Sequence, residues 1–431
     1  MKCIKIITSL FLLFFLCIVS ESCSSSPHIS FKDTYIDGQD HQYMFLKETN
    51  ETVVSKGNNG YYCYINNFLY HIDDKTLKAT PLCNKSDCLH NNETDSSNKE
   101  QCNAYVDSGM LNQMYVYNND IYIMCSNFIT DSDGNSRIKN SLMRISNDGS
   151  KHEEILSFEN EFVLRWLIHR GYLFYLSNNE TELEKKKNES EITSTALYKI
   201  SVNQINDKKK IFSSDDTGYY GAEFGHMTAY GNHIFLSASG YKNKRDYTSF
   251  VYGHNIDSVD LMYSYINYNF KEENFSFICD ENNGKNSSIV FDGFSDDKFF
   301  YHNIKDDIHS PLRAISVNGG KPKDIHNYTQ YYERFRMDDN YFYSFNYFDD
   351  DVYDGKKQET YTVYDKKWNK ITTIPLEYTS NLAPGDNNFI FDLTMGKDKT
   401  SLYYINKSRF KSKNNKPILV FSVDNKQQYA P

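Results

Sequence analysis

Gly60-Tyr61-Tyr62-Cys63-Tyr64-Ile65-Asn66-Asn67-Phe68-Leu69-Tyr70-His71-Ile72-Asp73-Asp74-Lys75-Thr76 is the stretch whose reading decides the fold. Two runs rich in Tyr, Ile and Phe are separated by two asparagines, and a second polar turn follows. Aromatic and β-branched residues suit a half-buried pleated surface. Asn and Asp tolerate the positive φ that tight hairpins require. With Thr52–Lys56 before it and Leu77–Leu82 after it, the stretch reads as a four-stranded meander, strands a to d. Alternation of apolar and polar side chains supports this, because successive residues of a strand point to opposite faces.

The same unit recurs along the chain at a spacing of roughly 50 residues, near the period of propeller repeats. The expected first strands are Met114–Tyr117, Val163–His169, His226–Tyr230, Ser288–Phe294 and Arg334–Met337. A last, incomplete unit reads as Phe389–Met395, Ser401–Ile405 and Ile418–Val423. The fold class expected is therefore all-β, a β-propeller of seven four-stranded blades. Blade seven lacks a fourth strand on this reading, and Tyr43–Lys47 is available to supply it and close the ring. Short turns such as Asn118–Asn119 and Gly231–Asn232 fall between strands a and b, and Asn147–Ser150 between c and d. The long connections, among them Asn127–Asn140, Ser239–Val259 and Tyr347–Glu359, join b to c, and Cys83–Gly109 joins d to the next a. In an up-and-down blade these two kinds emerge together, so one face is smooth and the other carries the loops, where binding usually sits.

Composition agrees. The 431 residues include 36 Tyr and 29 Phe, and only 8 Pro. A formal net charge of −10 argues against a groove that tracks nucleic-acid phosphates. Lys2 and Lys5 precede an apolar run, Ile6–Val19, too short to anchor in a bilayer. Small residues lead to Cys23, and Ser24–Ser26 follow. This resembles a bacterial lipoprotein signal, in which the cysteine is acylated. The expected layout is a signal over 1–22, a tether over 23–40 and one propeller over 41–431. Membrane attachment is then through a lipid on Cys23, at the extracytoplasmic face, with plain secretion as the alternative.

Three further cysteines cluster with a histidine as Cys83-x4-Cys88-x-His90-x11-Cys102. Three thiolates and an imidazole make a tetrahedral set suited to Zn²⁺. The competing reading is a disulfide with one spare thiol, since exported chains oxidise. Four protein ligands leave no open position, so the metal would brace the crossing from blade one to blade two. Around these residues the chain resembles uncharacterised lipoproteins of clostridial-type Gram-positive bacteria, with a signature Pro-Leu-Cys-x4-Cys-x-His followed by Cys-Asn-Ala-Tyr. Here that is Pro81-Leu82-Cys83, Cys88, His90 and Cys102-Asn103-Ala104-Tyr105. The resemblance implies an extracytoplasmic propeller with a domain of unknown function, and no substrate.

Asp131, Asp133 and Asn135 place oxygen ligands at alternate positions, as in half of a calcium loop, without its downstream Glu. Tyr241, Tyr247 and Tyr252 are candidate contact aromatics in a long loop. No nucleophile elbow, P-loop, dinucleotide fingerprint or zincin motif occurs. The function expected is a non-catalytic propeller that binds a peptide, glycan or protein through its loop face. The alternative is an exported glycan hydrolase with paired carboxylates near the axis.

Overall fold

In the computed structural model, seven antiparallel four-stranded sheets follow one another along the chain, and one of them carries a short extra strand. The structure describes residues 36, 38–40, 54–92, 96–107 and 113–425. Within the last range 131–135, 159–160, 180–194, 252–260, 283–286, 296, 306–307, 328–332, 339, 347–359, 376–379, 384, 397 and 413–414 fall outside it.

Each sheet is a sequential meander because every strand pairs with its neighbour in sequence. In blade one Gly60–Ile65 pairs with Val54–Gly57 on one side and Phe68–Asp73 on the other. Asn66 and Asn67 have φ of 51° and 65°, and Asn118 and Asn119 have 47° and 70°. These are the left-handed values that two-residue hairpins demand. Among the described residues, no helix is long and apolar enough to cross a membrane.

The sheets close into a ring, a seven-bladed β-propeller. Among the described residues, aromatic pairs cross six of the seven blade junctions. Tyr115 meets Trp166 between blades two and three, and Phe174 meets Phe270 between three and four. Phe235 meets Phe294, Phe300 meets Phe342, and Tyr341 meets Phe410 at the next three junctions. Tyr61 meets Phe391 with ring centroids 4.8 Å apart and closes blade one against blade seven. Large flat side chains fill a wedge between sheets, which explains the Tyr and Phe content. Between blades one and two the contact is aliphatic, with Met114, Ile123 and Ile145 in one cluster with Ile72 and Leu82.

Blade seven differs from expectation by one strand. Its sheet is Ser380–Ala383, Phe389–Met395, Lys399–Asn406 and Ile418–Asp424. The innermost strand is four residues, Ser-Asn-Leu-Ala, too short and too polar to show alternation. The three strands read as a, b and c are b, c and d. The blade is complete without an N-terminal strand, and Tyr43–Lys47 lies outside the described residues.

Two expected loops are partly regular. In blade two, strands Asp120–Thr130 and Ser136–Ile145 pair as far as Thr130 with Ser136, so the hairpin projects beyond its neighbours. In blade four, Lys244–Val251 forms a helix between Tyr241 and Leu261.

The N-terminal segment seats on the turn face. Asn118 N donates to Gly38 O at 2.9 Å, and Arg170 N donates to Gln39 O at 2.8 Å. The buried Asp40 carboxylate accepts from Arg170 Nε at 2.7 Å and Arg170 Nη2 at 3.1 Å. Arg170 Nη1 reaches on to Asn232 Oδ1 in the next blade. Three residues at the end of the expected tether thus link the a–b turns of blades two and three, and Arg170 extends the link to blade four.

Candidate metal centre

Blade one has the shortest outer strand among the four-stranded meanders, Ala79–Pro81. The chain leaves it early, and the segment after the cysteines returns to cover what is left open. Leu69 N donates to Ala104 O at 2.7 Å, and Val106 N donates to Asn67 O at 2.8 Å. Phe68 and Tyr105 form an isolated antiparallel bridge, with their rings 5.4 Å apart. Residues 104–106 therefore act as a substitute outer strand beside the start of strand c. Tyr64 Oη donates to Val106 O at 2.7 Å and ties it to the blade interior.

This return path folds Cys83, Cys88, His90 and Cys102 together, with all four ligating atoms within 4.8 Å of one another. His90 Nδ1 and Cys102 Sγ are 3.6 Å apart. A tetrahedral Zn²⁺ with Zn–S about 2.3 Å and Zn–N about 2.05 Å would separate N and S by about 3.6 Å. Cys83, Cys88 and Cys102 are free cysteines here, as are Cys63 and Cys125 in the strands. The convergence of three thiols and a ring nitrogen on one point is the geometry of a metal site, and the disulfide alternative is not formed.

The electrostatics fit a cation. Burial pushes the Cys83 thiol up, but the backbone N–H groups of Lys85 and Asn103 and the neighbouring thiols outweigh it, so its net shift is downward. Amides that point at sulfur favour thiolate. Burial pushes Cys102 up to about 12, helped by the Cys88 and Cys83 thiols beside it. Three sulfurs so close cannot all ionise unless a positive charge lies between them. Burial lowers His90, which keeps the imidazole neutral and able to ligate. The residues present therefore fit a metal of the Zn²⁺ kind. The sequence did not reveal the amide donors, because they depend on how the chain turns after each ligand.

The segment sits at the outer rim against blade two. His152 Nε2 lies 2.8 Å from Asn103 O. Gly149, at φ 72°, packs so closely that a Cβ there would be 2.1 Å from Leu82 O. Lys85 Nζ also donates to Gln101 O, closing the span between the outer ligands.

The other expected site residues scatter. Asp131, Asp133, Asn135, Tyr252 and Cys23 lie outside the described residues. Tyr241 ends strand b of blade four and is buried, with Tyr247 of the helix 5.9 Å away ring to ring. Its ring is used in packing, which corrects its placement as a loop contact. Trp166 and Trp368 both pack against aromatic rings, the latter stacked on Phe342 at 4.2 Å. The sequence reading overlooked Phe128, 69% exposed on the projecting blade-two hairpin.

No family model and no curated protein matches this chain. Among solved structures it is similar to the β-propeller domain of the Trilobed protease from Pyrococcus furiosus. That likeness has a TM-score of 0.42 at 10% identity and covers 69% of this chain and 83% of the other. It is similar to an acylaminoacyl peptidase of Pyrococcus horikoshii, with a TM-score of 0.43 at 10% identity, over 68% of this chain and 45% of that one. An uncharacterized protein of Listeria monocytogenes EGD-e gives 0.41 at 10% identity, over 71% and 80%. At these values the likeness lends nothing to an assignment of chemistry.

Proposed function

We propose that this chain is an exported propeller, tethered through a lipid on Cys23, that binds a peptide, glycan or protein on its loop face without catalysing a reaction. A structural Zn²⁺ on Cys83, Cys88, His90 and Cys102 braces the rim between blades one and two. The observation that carries the binding role is the contrast between the faces. The turn face is drawn tight by Asn, Asp and Gly hairpins and by the Gly38–Asp40 segment. The opposite face carries the projecting hairpin with Phe128 and the helix Lys244–Val251. A rigid ring that presents variable elements on one side is a recognition scaffold.

Three of the five buried aspartates among the described residues support this reading over hydrolysis. Asp40 pairs with Arg170, Asp292 with His302 and Asp338 with Lys407. Each lies against a basic side chain within the fold rather than beside a second carboxylate, the arrangement sugar hydrolysis requires.

Three measurements test the proposal. Metal analysis of purified protein should find one zinc per chain, lost in Cys88→Ser; a metal-free protein of unchanged stability would remove the zinc. An alkyne-palmitate label should enter the expressed protein and be absent from Cys23→Ser; equal labelling of both would remove the tether. Binding on glycan and peptide arrays should fall in Phe128→Ala, and turnover of an array ligand would replace binding with catalysis.

A further inference from the structure

The turns between strands c and d divide the turn face into two halves by charge. In blades one, two and four acids and bases are matched. Asp73 and Asp74 stand with Lys75 and Lys78, Asp148 with Lys151, and Glu272 and Glu273 with Lys271. The turn of blade three, Val202-Asn203, carries no charge. In blades five, six and seven the balance is broken. Blade five exposes Lys321 and Lys323, and blade six exposes Lys367 and Lys370. Blade seven exposes Arg409, Lys411 and Lys416. Across these three turns, residues 318–323, 365–370 and 407–417, the one carboxylate is that of Asp365. Its oxygens accept from Lys367 N, Asn369 N and Asn369 Nδ2, so it shapes its own turn.

No ion pair joins these exposed cations to a carboxylate among the described residues. Elsewhere exposed lysines are paired, Lys139 with Glu154, Lys209 with Glu273, Lys298 with Asp297 and Lys399 with Asp424. Contacts between blades hold the three turns side by side. Trp368, in the blade-six turn, stacks on His326 of blade five with ring centroids 4.9 Å apart. Lys366 Nζ donates to Ser295 Oγ of blade five. Asn415 Nδ2, in the blade-seven turn, donates to Thr373 O of blade six at 3.2 Å. The cations therefore lie on one continuous arc of the rim, on a chain whose net charge is −10. The excess of negative charge does not cancel the arc at close range, because charges more than about 8 Å apart are largely screened at physiological salt.

The point where the chain enters the ring indicates what the arc meets. Gly38 O and Gln39 O accept from Asn118 N and Arg170 N, on the turn face at blades two and three. Blades five to seven lie across the ring from there, on the same face. Residues 23–35 can span at most about 45 Å, so a lipid on Cys23 keeps the turn face within that distance of a bilayer. A polybasic patch is the usual second signal beside a covalent lipid. One attachment leaves the ring free to turn, whereas a second on the opposite arc sets it flat.

Taking the lipid on Cys23 as the first attachment, we propose that the basic arc of blades five to seven is the second. It docks on the anionic phosphate headgroups of the membrane that holds the tether, and so turns the loop face away from the bilayer. Each lysine or arginine brought near such a surface strengthens binding by about fivefold.

Vesicle flotation of the full chain carrying Cys23→Ser, which has no acyl site, tests the arc by itself. The apolar run Ile6–Val19 is the same in every arm, so only differences between arms are read. Vesicles of equal phosphatidylglycerol and phosphatidylcholine should bind the chain, phosphatidylcholine alone should bind it far less, and high salt should remove the difference. Lys367→Gln/Lys370→Gln/Lys411→Gln should weaken binding to the anionic vesicles at least about tenfold. Lys75→Gln/Lys78→Gln/Lys151→Gln, on the other half of the face, should leave it unchanged. All six lysines are exposed, so neither variant disturbs packing. A nitroxide on the lipid headgroup should quench Trp368, which lies between Lys367 and Lys370, and the quenching should vanish in Trp368→Phe because Trp166 is buried. Equal binding to both kinds of vesicle, an arc variant that binds as the parent chain does, or bound chain with unquenched Trp368 overturns the proposal. Tighter binding to soluble polyphosphate than to anionic vesicles also overturns it, by replacing the membrane with an anionic polymer. Because no acyl group takes part, these results stand apart from the palmitate label: either can fail while the other holds.

Discussion

Adjacent blades are fastened by charge at one place and by sulfur at another. At the junction of blades six and seven, Lys407 Nζ lies 2.7 Å from Asp338 Oδ2, and both side chains are almost wholly buried. Tyr343 Oη donates to the same oxygen at 2.7 Å, and Lys407 Nζ also reaches Asp386 O at 2.5 Å. Asp338 Oδ1 meanwhile accepts from the N–H groups of Asn340 and Tyr341, shaping the turn. At the junction of blades one and two the outer strand is three residues long, and the chain closes the gap with a cysteine–histidine loop instead. A full-length blade is fastened by side chains it already carries. On the zinc reading proposed above, a truncated one recruits a cross-link that depends on something from outside. The first fastening should fail when its charges are changed, and the second when its metal is removed.

The largest effect is expected from Lys407→Met. It leaves the Asp338 carboxylate buried without its cation, a change that typically costs about 3–5 kcal/mol. Asp338→Asn/Lys407→Met should recover much of this, because Asn keeps the turn bonds and no charge is stranded. Calorimetric melting of both variants checks the order. A single variant as stable as wild type would mean that the junction does not depend on the pair.

Acid probes the same face at its other end. His169 is fully buried, its Nε2 is 2.7 Å from Gly231 O, and burial lowers its pKa to about 4. In the unfolded chain an imidazole titrates near ~6.5, so between these values the unfolded state binds the extra proton. The contribution of neutral His169 is therefore complete above about pH 6.5 and is lost as pH falls through about 4, worth roughly 3 kcal/mol across that window. Melting His169→Gln and wild type from pH 7 down to about 4 should show a flatter fall for the variant. Parallel curves would assign the acid sensitivity elsewhere.

The rim answers to a different reagent. A metal bound hundredfold above its dissociation constant stabilises by about 2.7 kcal/mol. A chelator at neutral pH should lower the melting temperature by that equivalent, and Zn²⁺ but not Mg²⁺ should restore it. Lys407→Met should bind zinc as wild type does, since the two fastenings share no residue. Loss of zinc from Lys407→Met in its folded state would merge the two regions into one unit.

How much of this was legible in the sequence depended on how local the signal was. The ligand set lies within twenty positions, Cys83 to Cys102, and its chemistry is carried by residue type, so it could be read directly. Six blades were legible because strands such as Gly60–Ile65 are apolar and end in turns with their own residue preferences. Blade seven slipped because Ser380–Ala383 has neither length nor alternation. Asp338 and Lys407 are far apart in the chain and meet only because the ring places turns of adjacent blades side by side. Nothing near Asp40 marks Arg170 as its partner.

The smallest effect expected also marks most sharply where the rim ends. Gly149 lies in the c–d turn of blade two, at φ 72°, with a Cβ position 2.1 Å from the Leu82 carbonyl oxygen. Gly149→Ala must take up a conformation that costs about 1 kcal/mol or more for a residue with a side chain. It must also push the turn off Leu82, the residue before the first ligand. The thermal shift should be modest, because Met114, Ile123 and Ile145 still share an aliphatic cluster with Ile72 in the junction. Zinc release to a competing chelator should nevertheless quicken, since Cys83 follows directly from the displaced carbonyl. A variant that melts earlier but releases zinc at the wild-type rate would show that the metal loop is braced by blade one alone, through Ala104 and Val106, and that blade two only rests against it.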